Sequence, residues 1–347
     1  MKKNAEFADD KLQLQVKSKP DALTESTSVE RAQPHGSMDR LTNEGGRFFI
    51  RATPVDRSRE WTVVAVQIPR YPHSAALQEL VEAVYYGLKQ LDQQVTLTNG
   101  HREFSNNTVI IGGHLLSPEQ CAKVPNGAVV YNSEHADSHW FNKHYVALLQ
   151  RTIVWDYSAD NTKWLADKLG RPVLHVPLGY VPQFTRINSR RTNDEDLDVL
   201  FFGAPNARRE RIFDEIRSRG LLFHHAFGVY GSERDALVER SKVVINIHQY
   251  TRGALEILRI AYLLSNKKAI VTEINPGETI DPDLEGAFVA APYESMASSA
   301  ADLVANPLAR ATLATTGFRK FICRSEAVIL RDALAGRLDD KSTTLIE

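Results

Sequence analysis

The sequence predicts an α/β protein made of two consecutive doubly wound domains. Three observations carry the prediction: short apolar, β-branched runs alternate with helical periodicity, a polar segment interrupts the alternation, and a second alternation follows it. Short continuous apolar strands separated by helices are typical of parallel sheets that are covered on both faces. The duplication is one of architecture rather than of sequence.

The N-terminal segment, residues 1–45, is rich in Lys, Asp, Glu, Ser, Thr and Gln and has few large apolar side chains. Such a segment cannot bury enough apolar surface to offset the entropy that it loses on ordering. We therefore expect a disordered tail that precedes the folded sequence.

The first domain is predicted to span residues 46–180. Its first clear strand is "TVVAVQI" (62–68), and "SAALQELVEAVYYGLKQL" (74–91) has the apolar spacing of a helix. Helices are also expected around 140–149 and over 160–169. The remaining strand candidates are "QVTLT", "NTVIIGG", "GAVVYN", "TIVWDYS" and "PVLHVPLGY".

A linker and a second domain are expected next. Residues 181–197 are polar and nearly lack apolar periodicity, whereas "DVLFFG" (198–203) opens a new series of strands. We place the second domain at 198–317 and a C-terminal helix with a tail at 318–347. The series contains a helix from Arg208, "LLFHHAF", a short helix around 232–240, "KVVINIH", an apolar helix from 254 to 264, "KAIVTE" and "AFVAAP".

The net charge, the cysteines and the lengths of the apolar runs limit the classes of protein to which this chain can belong. The net charge of −1 gives no global basic field that would gather nucleic acid. Cys121 and Cys323 lie far apart in the sequence and lack the spacing of metal ligands. We interpret them as the ordinary reduced thiols of a cytosolic protein. No apolar run is long enough for a transmembrane segment, and the N-terminus lacks the apolar core of a signal peptide. We expect a cytoplasmic protein without a nucleic-acid partner.

Ligands of open α/β sheets bind beyond the carboxyl ends of the strands, so the cleft between two such sheets is the expected site. In "DVLFFGAPNARRER", Gly203 begins a turn and Asn206 suits a helix N-cap, which puts Arg208 and Arg209 in the first helical turn. Cations are unfavourable there unless an anion binds beside them. The alternative is a pair of solvated arginines. A Walker-A pattern and a complete G-x-G-x-x-G fingerprint are both absent from the sequence, which argues against a P-loop kinase or a Rossmann dehydrogenase.

The strand "VVINIH" and the turn "QYTRG" repeat the order of strand, turn and helix. The N-terminus of the helix that follows should therefore lie at the same cleft. Gly253 admits a close backbone approach to a ligand, and Glu256 lies in the expected first turn of the helix. Its carboxylate could accept hydrogen bonds from two vicinal hydroxyls, as on a ribose. An internal pair between Glu256 and Arg259, three residues apart, is an equal alternative.

Two stretches, "DVLFFGAPNARRERIFDEI" and "KVVINIHQYTRGALEILRIAYLLSNKKAIVTE", resemble the nucleotide-binding half of GT-B glycosyltransferases. They are most similar to the bacterial group-1 glycosyltransferases, including the spore-maturation type. Retaining members carry a glutamate, seven residues and a second glutamate, which holds the ribose of the sugar nucleotide. Glu256 matches the second position, whereas His248 occupies the first. This departure leaves the stereochemistry of transfer open.

The resemblance covers roughly residues 60–335 and includes "HVPLGYVPQF" (175–184), where the first domain passes to the second. It implies the GT-B fold, with two Rossmann-like domains facing a cleft and a helix around 318–335 that crosses back to the first domain. It also implies no cofactor and no metal, since helix N-termini and cations stabilise the departing diphosphate. The predicted donor-binding residues are Gly203, Arg208, Arg209, Asn246, Tyr250, Arg252, Gly253 and Glu256.

The first domain should then bind the acceptor. His73 lies between the first strand and its helix, and His114 follows two glycines at a strand end. A histidine of near-neutral pKa can take the proton of an acceptor hydroxyl. Glu134, in the strand end "NSEH" (132–135), is a third candidate. The predicted catalytic residues are therefore His73, His114, Glu134 and His248, although any one of 11 histidines is more often structural.

The expected function is transfer of a sugar from a nucleotide sugar to an acceptor, as in polysaccharide biosynthesis. The acceptor, whether a glycan, a lipid-linked molecule or a protein, is left open by the sequence. A sugar-nucleotide epimerase of the same fold and a catalytically silent nucleotide-sugar or glycan-binding module are the alternatives.

Overall fold

The computed structural model describes residues 41–44, 47–50, 60–68, 72–99, 103–136, 138–187, 195–249 and 255–335. Leu41–Glu44 (β1) pairs antiparallel with Arg47–Ile50 (β2). Residues 41–44 therefore form a strand and are not part of a disordered tail. Pairing with β2 stabilises this strand, and the amino-acid composition of the segment does not indicate such pairing. The rest of the expected tail up to residue 40 lies outside the described residues.

The N-terminal sheet of the described chain is parallel and has six strands in the order β4-β3-β5-β6-β7-β8. Its strands alternate with helices, and both of its faces carry buried apolar side chains. The run "TVII" of β5, for example, is buried at every position. The strands are Glu60–Ala65 (β3), Gln94–Asn99 (β4), Thr108–Ile111 (β5), Val129–Asn132 (β6), Ile153–Asp156 (β7) and Leu174–His175 (β8).

The C-terminal sheet is also parallel, with five strands in the order β10-β9-β11-β12-β13. Its apolar strands are covered on both faces as well, as the sequence predicted. Together the two sheets confirm the expected α/β class with two doubly wound layers. The strands are Leu197–Phe202 (β9), Phe223–Ala226 (β10), Ser241–Asn246 (β11), Ala269–Glu273 (β12) and Val289–Ala291 (β13).

Helices connect the strands and cover both sheets. Several begin at side-chain caps, such as Asn142, Ser158 and Asn206, each of which accepts a backbone N–H of the first turn. The described helices are Gln78–Gln90 (α1), Pro118–Lys123 (α2), Lys143–Arg151 (α3), Ala159–Leu169 (α4), Ala207–Ser218 (α5), Gly231–Arg240 (α6), Ile257–Ser265 (α7), Met296–Ala305 (α8), Pro307–Ile322 (α9) and Glu326–Leu334 (α10). Within the described residues, no helix is long and apolar enough to cross a membrane.

The C-terminal part differs from the single helix expected around 318–335. Helix α9 ends at Ile322, and α10 begins after the N-cap Ser325, whose hydroxyl accepts the N–H of Val328. Helix α10 packs against α1 of the N-terminal half. A Cβ added to Gly87 would lie 2.7 Å from Cδ1 of Leu330 and 2.8 Å from Cγ of Glu326. The glycine therefore permits the close approach of the two helices.

The two sheets share one apolar core. The largest cluster of buried residues joins α1 and the segment 176–184 to strands and helices of the C-terminal sheet, including α7 and α9. The carboxyl ends of both sheets border a common cavity. It is lined by Tyr157 and Ser158 after β7, by Leu255 and Ile257 at the start of α7, and by Glu278 after β12.

Candidate functional site

Arg208 is already paired with a carboxylate of its own chain. Both terminal nitrogens of its guanidinium donate to the carboxylate of Glu273, a fully buried residue at the end of β12. The guanidinium also lies 4.0 Å above the ring of Tyr293, whose hydroxyl donates to the backbone carbonyl of Arg208. Bidentate pairing and stacking together fix the orientation of the guanidinium plane.

Arg209 is buried, with 3% of the side chain exposed, and ties two strand ends together. Its guanidinium donates to the carbonyl oxygens of Ala204 and Ile247 and to the side chain of Gln249. Nη2, which donates to Ile247, also lies 3.3 Å from Oε1 of Glu256. Burial is the main cause that lowers its pKa to about 10, so the side chain remains charged at neutral pH.

These contacts correct the electrostatic argument made from the sequence. From the sequence, we expected either an external anion beside the two arginines in the first turn of α5 or a pair of solvated arginines. Arg208 and Arg209 do lie in that turn, but Glu273 and Glu256 of the chain itself balance them. Neither carboxylate is near the arginines in sequence, so spacing alone could not reveal the pairs.

Glu256 is the N-cap residue of α7 rather than a residue of its first turn. Its Oε2 lies 2.5 Å from the guanidinium of Arg259, and its Oε1 contacts Arg209. Burial raises the pKa of the carboxyl, but the charges of Arg259 and Arg209 outweigh burial and hold it below the ordinary value. The side chain keeps 22% of its surface exposed, so the internal ion pair and access to the cleft coexist.

Arg259 extends this network to β11. Its guanidinium donates to Oδ1 of Asn246, whose amide donates to the hydroxyl of Thr272 at 2.8 Å. Asn246 is completely buried and so lies beneath the cleft. Gly203 has φ of 149°, and a Cβ there would lie 3.2 Å from the Arg259 guanidinium. Gly203 and Asn246 thus shape the base of the site.

His248, directly beyond β11, is 1% exposed and pairs with Glu278. Its Nε2 lies 3.2 Å from Oε2 of Glu278, and its backbone N–H donates to Glu273. Burial lowers the pKa of the imidazole, but the hydrogen bond and the charges of Glu278, Glu273 and Glu256 outweigh it and raise the pKa. His248 and Glu278 are therefore favoured as an ion pair.

On the other side of the cleft, a buried amide and carboxyl network fixes the loop after β6. Asp156 accepts from the side-chain amides of Asn132 and Asn161, each at 2.6 Å. The same two amides donate to the backbone carbonyl of Glu134. Burial is the dominant cause that raises the pKa of Asp156 to about 7, despite these hydrogen bonds. The network holds residues 132–136 at the edge of the sheet.

His114 and Glu134, two predicted catalytic residues, contact each other. His114 Nε2 lies 3.2 Å from Glu134 Oε1, and Ser138 donates to the other carboxylate oxygen. The His114 ring is buried against Trp140 and Tyr145. Burial lowers its pKa to about 4, so the ring is neutral at physiological pH. This arrangement favours a role in bracing the loop over proton transfer to an acceptor.

His135 is the residue of this loop that faces the C-terminal sheet. Its ring lies 6.3 Å from that of Tyr157, which lines the shared cavity. Burial lowers the pKa of the imidazole, and the charges of Glu256, His248 and Glu278 act on it from the opposite side. From the strand end "NSEH" (132–135) we predicted Glu134 as a catalytic residue and did not predict His135. Nothing in the sequence shows which of these side chains faces the cleft.

The predicted site residues thus form a cluster at the C-terminal sheet and a separate pair, His114 and Glu134, and the rest lie partly or wholly outside the described residues. The structure brings Arg208, Arg209, Asn246, His248 and Glu256 together, with Glu273 and Glu278 as partners that the sequence did not single out. Glu273 ends a fully buried strand, and a charge in that position was the one available signal. The backbone of His73 lies in the short 3₁₀ helix Pro72–Leu77. The side chain of His73 and the whole of Tyr250, Arg252 and Gly253 lie outside the described residues.

In the described parts of the chain, no group of three or more His, Cys, Asp or Glu side chains is arranged to hold a metal ion. The charged groups at the cleft are instead joined in pairs of opposite sign. The arrangement presents fixed carboxylates and cations at the cleft.

No protein-family model matches the chain. Two proteins of Acanthamoeba polyphaga mimivirus are similar in sequence over parts of their length. "Uncharacterized protein L140" is 28% identical over 103 residues, which are 29% of this chain and 33% of that protein. "Uncharacterized protein R358" is 25% identical over 173 residues, 48% of this chain and 59% of that protein. The matched parts therefore span between a third and three-fifths of these two relatives.

Solved structures are more informative about the fold. Anabaena HepE in complex with UDP and glucose aligns with a TM-score of 0.54 at 10% identity, over 81% of this chain and 100% of that chain. T4 phage BGT in complex with its UDP-glucose substrate aligns with a TM-score of 0.50 at 11% identity, over the same shares. The chain has the GT-B fold. The expectation from the two nucleotide-binding stretches is thereby confirmed at the level of the fold.

Proposed function

We propose that this GT-B chain is a glycosyltransferase that moves a sugar from a nucleotide-sugar donor to an acceptor hydroxyl. One observation carries the proposal. Tyr157, whose ring lies edge-on to that of His135 at the edge of the N-terminal sheet, lines one cavity with Glu278 and with Leu255 and Ile257, the neighbours of Glu256 in the C-terminal half. A candidate proton acceptor and a set of fixed polar groups therefore border one cleft, as a transfer between two bound substrates requires.

On the donor side, Glu256 is the proposed ribose-binding residue. Arg209 and Arg259 hold one carboxylate oxygen each, and their charges keep the carboxyl ionised. A carboxylate has about four acceptor positions, so two remain for ribose hydroxyls. Arg252, whose position in the chain follows β11, is proposed to contact the diphosphate together with the N-terminal end of α7.

On the acceptor side, His135 is the proposed general base. Its lowered pKa keeps the imidazole neutral, and the described residues offer its ring no hydrogen-bond partner. The acceptor oxygen would bond to the anomeric carbon while the bond from that carbon to the diphosphate oxygen breaks. His135 takes the hydroxyl proton, and the bonding electron pair leaves with the diphosphate.

A thermal-shift screen of nucleoside diphosphates and nucleotide sugars tests the donor part of the proposal. UDP and UDP-glucose come first, because the two similar structures contain them. A ligand at a hundredfold its dissociation constant stabilises the folded state by about 2.7 kcal/mol. Absence of any shift across the screen, at millimolar ligand, would contradict a nucleotide-sugar enzyme.

Glu256→Gln tests the assigned ribose contact. Loss of charge-assisted hydrogen bonds costs about 1.5–3 kcal/mol, which weakens nucleoside diphosphate binding about tenfold or more. Glu233→Gln is the matched control, since Glu233 is an exposed glutamate on α6 of the same half. Equal affinities of wild type, Glu256→Gln and control would restrict Glu256 to its internal ion pairs.

Turnover separates the three function classes. Hydrolysis of the donor without acceptor excludes a silent binding module, and transfer rather than isomerisation of the sugar excludes an epimerase. His135→Gln should lower turnover about 10²–10⁴-fold while nucleoside diphosphate affinity is retained. His144→Gln, at an exposed position of α3, is the control and should behave as wild type. Normal turnover of His135→Gln would exclude His135 as the base.

A further inference from the structure

The backbone of His135 is held on both sides by one side chain. Nδ2 of Asn161 donates to the carbonyl oxygen of Glu134 at 2.9 Å, and Oδ1 of Asn161 accepts the N–H of Ala136 at 2.9 Å. The carbonyl belongs to the peptide group before His135, and the N–H belongs to the peptide group after it. Peptide groups are planar, so fixing both of them also fixes the direction in which the His135 side chain leaves the loop.

The amide of Asn161 has supports of its own. Nδ2 also donates to Oδ2 of Asp156 at 2.6 Å, so both amide hydrogens and the amide oxygen are used. Asn161 lies in the first turn of α4, where its backbone N–H donates to the hydroxyl of the cap residue Ser158. The residue is buried, with 6% of its surface exposed. The end of β7 and the start of α4 therefore hold the amide in one orientation.

Asn132 contacts the same loop in a different way. Its amide donates to the carbonyl oxygen of Glu134 at 2.8 Å, and its oxygen accepts the hydroxyl of Tyr145 and the N–H of Glu134. These contacts all precede His135 in the chain. Within the described part of the chain, Asn161 is the side chain that bonds to the backbone on both sides of His135.

The imidazole of His135 depends on this backbone for its position. Its ring lies edge-on to that of Tyr157 at 6.3 Å, and the described residues offer it no hydrogen-bond partner. A general base must lie within hydrogen-bond reach of the proton that it takes. A displacement of about 1 Å can lower the rate about 10²-fold. The side chain that fixes the His135 backbone should therefore affect the chemical step.

We propose that Asn161 is a positioning residue that holds the backbone of His135 so that the imidazole faces the cleft. This inference rests on the proposed function, in which His135 takes the proton of the acceptor hydroxyl. It gives Asn161 no contact with the donor or the acceptor. The effect of Asn161 passes through the two peptide groups that flank His135.

A double-mutant cycle tests whether Asn161 acts through His135. Wild type, Asn161→Ala, His135→Gln and the double variant are compared with UDP-glucose, or with the nucleotide sugar that stabilises wild type most in the screen. Release of the nucleoside diphosphate gives kcat and KM, titration calorimetry gives the affinity for the diphosphate, and the melting temperature verifies folding. Asn306→Ala is the matched control, because Asn306 also bonds to a backbone N–H, that of Ala309, at the start of α9.

Asn161→Ala should lower kcat about 10–10²-fold and leave KM and the diphosphate affinity within about twofold of wild type, since the donor site is unchanged. In the His135→Gln background, the same change should lower kcat by less than about threefold, because the group that Asn161 positions is already absent. Asn306→Ala should match wild type in kcat and KM.

An equal loss of kcat in both backgrounds would show that Asn161 supports the fold as a whole, and it would overturn the inference. Normal turnover of a folded Asn161→Ala variant would overturn it as well. In both cases the proposed function stands if His135→Gln itself lowers turnover.

Two results would overturn the proposed base and this inference together. One is normal turnover of His135→Gln, and the other is failure of wild type to release a diphosphate from any nucleotide sugar of the screen. If Asn161→Ala does not fold, Asn161→Asp replaces it. That variant keeps the acceptor for Ala136 and removes both amide donors, and the same dependence on His135 is expected.

Discussion

Removal of the Arg208 guanidinium should destabilise the empty protein. Glu273 is fully buried, and after Arg208→Ala it retains one described hydrogen-bond donor, the backbone N–H of His248 at 3.0 Å. Truncation of one partner of a buried ion pair costs about 3–5 kcal/mol, because the other charge is left uncompensated. The exposure of Arg208, 19% of its side chain, places the expected loss near the lower end, about 3 kcal/mol.

Urea unfolding of wild type, Arg208→Ala, Glu273→Gln and the double variant measures this loss and the coupling between the two residues. Because each single change leaves an unpaired group, the double variant should be more stable than the sum of the single losses predicts, by about 1–3 kcal/mol. Arg211→Ala, on the outward side of the same helix, is the control and should change stability by less than about 0.5 kcal/mol.

An unchanged midpoint for Arg208→Ala would refute this reasoning. It would mean that Glu273 loses its partner at little cost, and the arginine would then be available to an external anion, one of the two alternatives that the sequence suggested. Additive losses in the double variant would equally show that the two side chains do not depend on each other.

Three further predictions concern the scaffold. Burial raises the pKa of Asp156 to about 7, so the folded state holds this proton more tightly than the unfolded state, and its contribution to stability is lost as pH rises from about 4 to 7. Asp156→Asn should flatten that part of a stability–pH curve measured by urea unfolding, and an unchanged curve would contradict it. Gly87→Ala should lower the melting temperature, since its Cβ would overlap Leu330 and overpacking costs about 1–3 kcal/mol; a gain in stability would contradict the tight packing of α10. Asn206→Ala should cost about 1–2 kcal/mol in urea, through loss of the α5 cap and of the 2.7 Å bond to Gln249. A loss no larger than at an exposed helix position would show that Asn206 is dispensable.

The fold was predictable because its signals are local. Buried strands such as "TVII" (108–111) and "KVVINI" (242–247) read as continuous β-branched runs, and each is bounded by polar or glycine-containing turns. The boundary of the apolar helix was less accurate. It was expected from 254, but α7 begins at Ile257, since Glu256 adopts the non-helical conformation of a cap residue.

The partners of the site residues were not predictable in the same way. The i,i+3 spacing indicated Glu256 and Arg259 as a pair, and they do form one. Arg209, the second partner of Glu256, lies 47 positions away in the sequence, and Glu273 lies 65 positions from Arg208. Such pairs follow from the order of strands in the sheet, which brings the ends of β9, β11 and β12 together.

The same topology explains why charged residues accumulate at this edge. Parallel strands end side by side, so residues that follow β9, β11 and β12 become neighbours whatever their separation along the chain. Each described cation there contacts a carboxylate of the chain: Glu273 for Arg208, Glu256 for both Arg209 and Arg259, and Glu278 for His248. A polar ligand that enters such a cleft meets groups whose orientation is fixed before it binds, which lowers the entropy lost on binding. His135 on the opposite sheet, whose ring has no hydrogen-bond partner among the described residues, is the group that we propose accepts the proton.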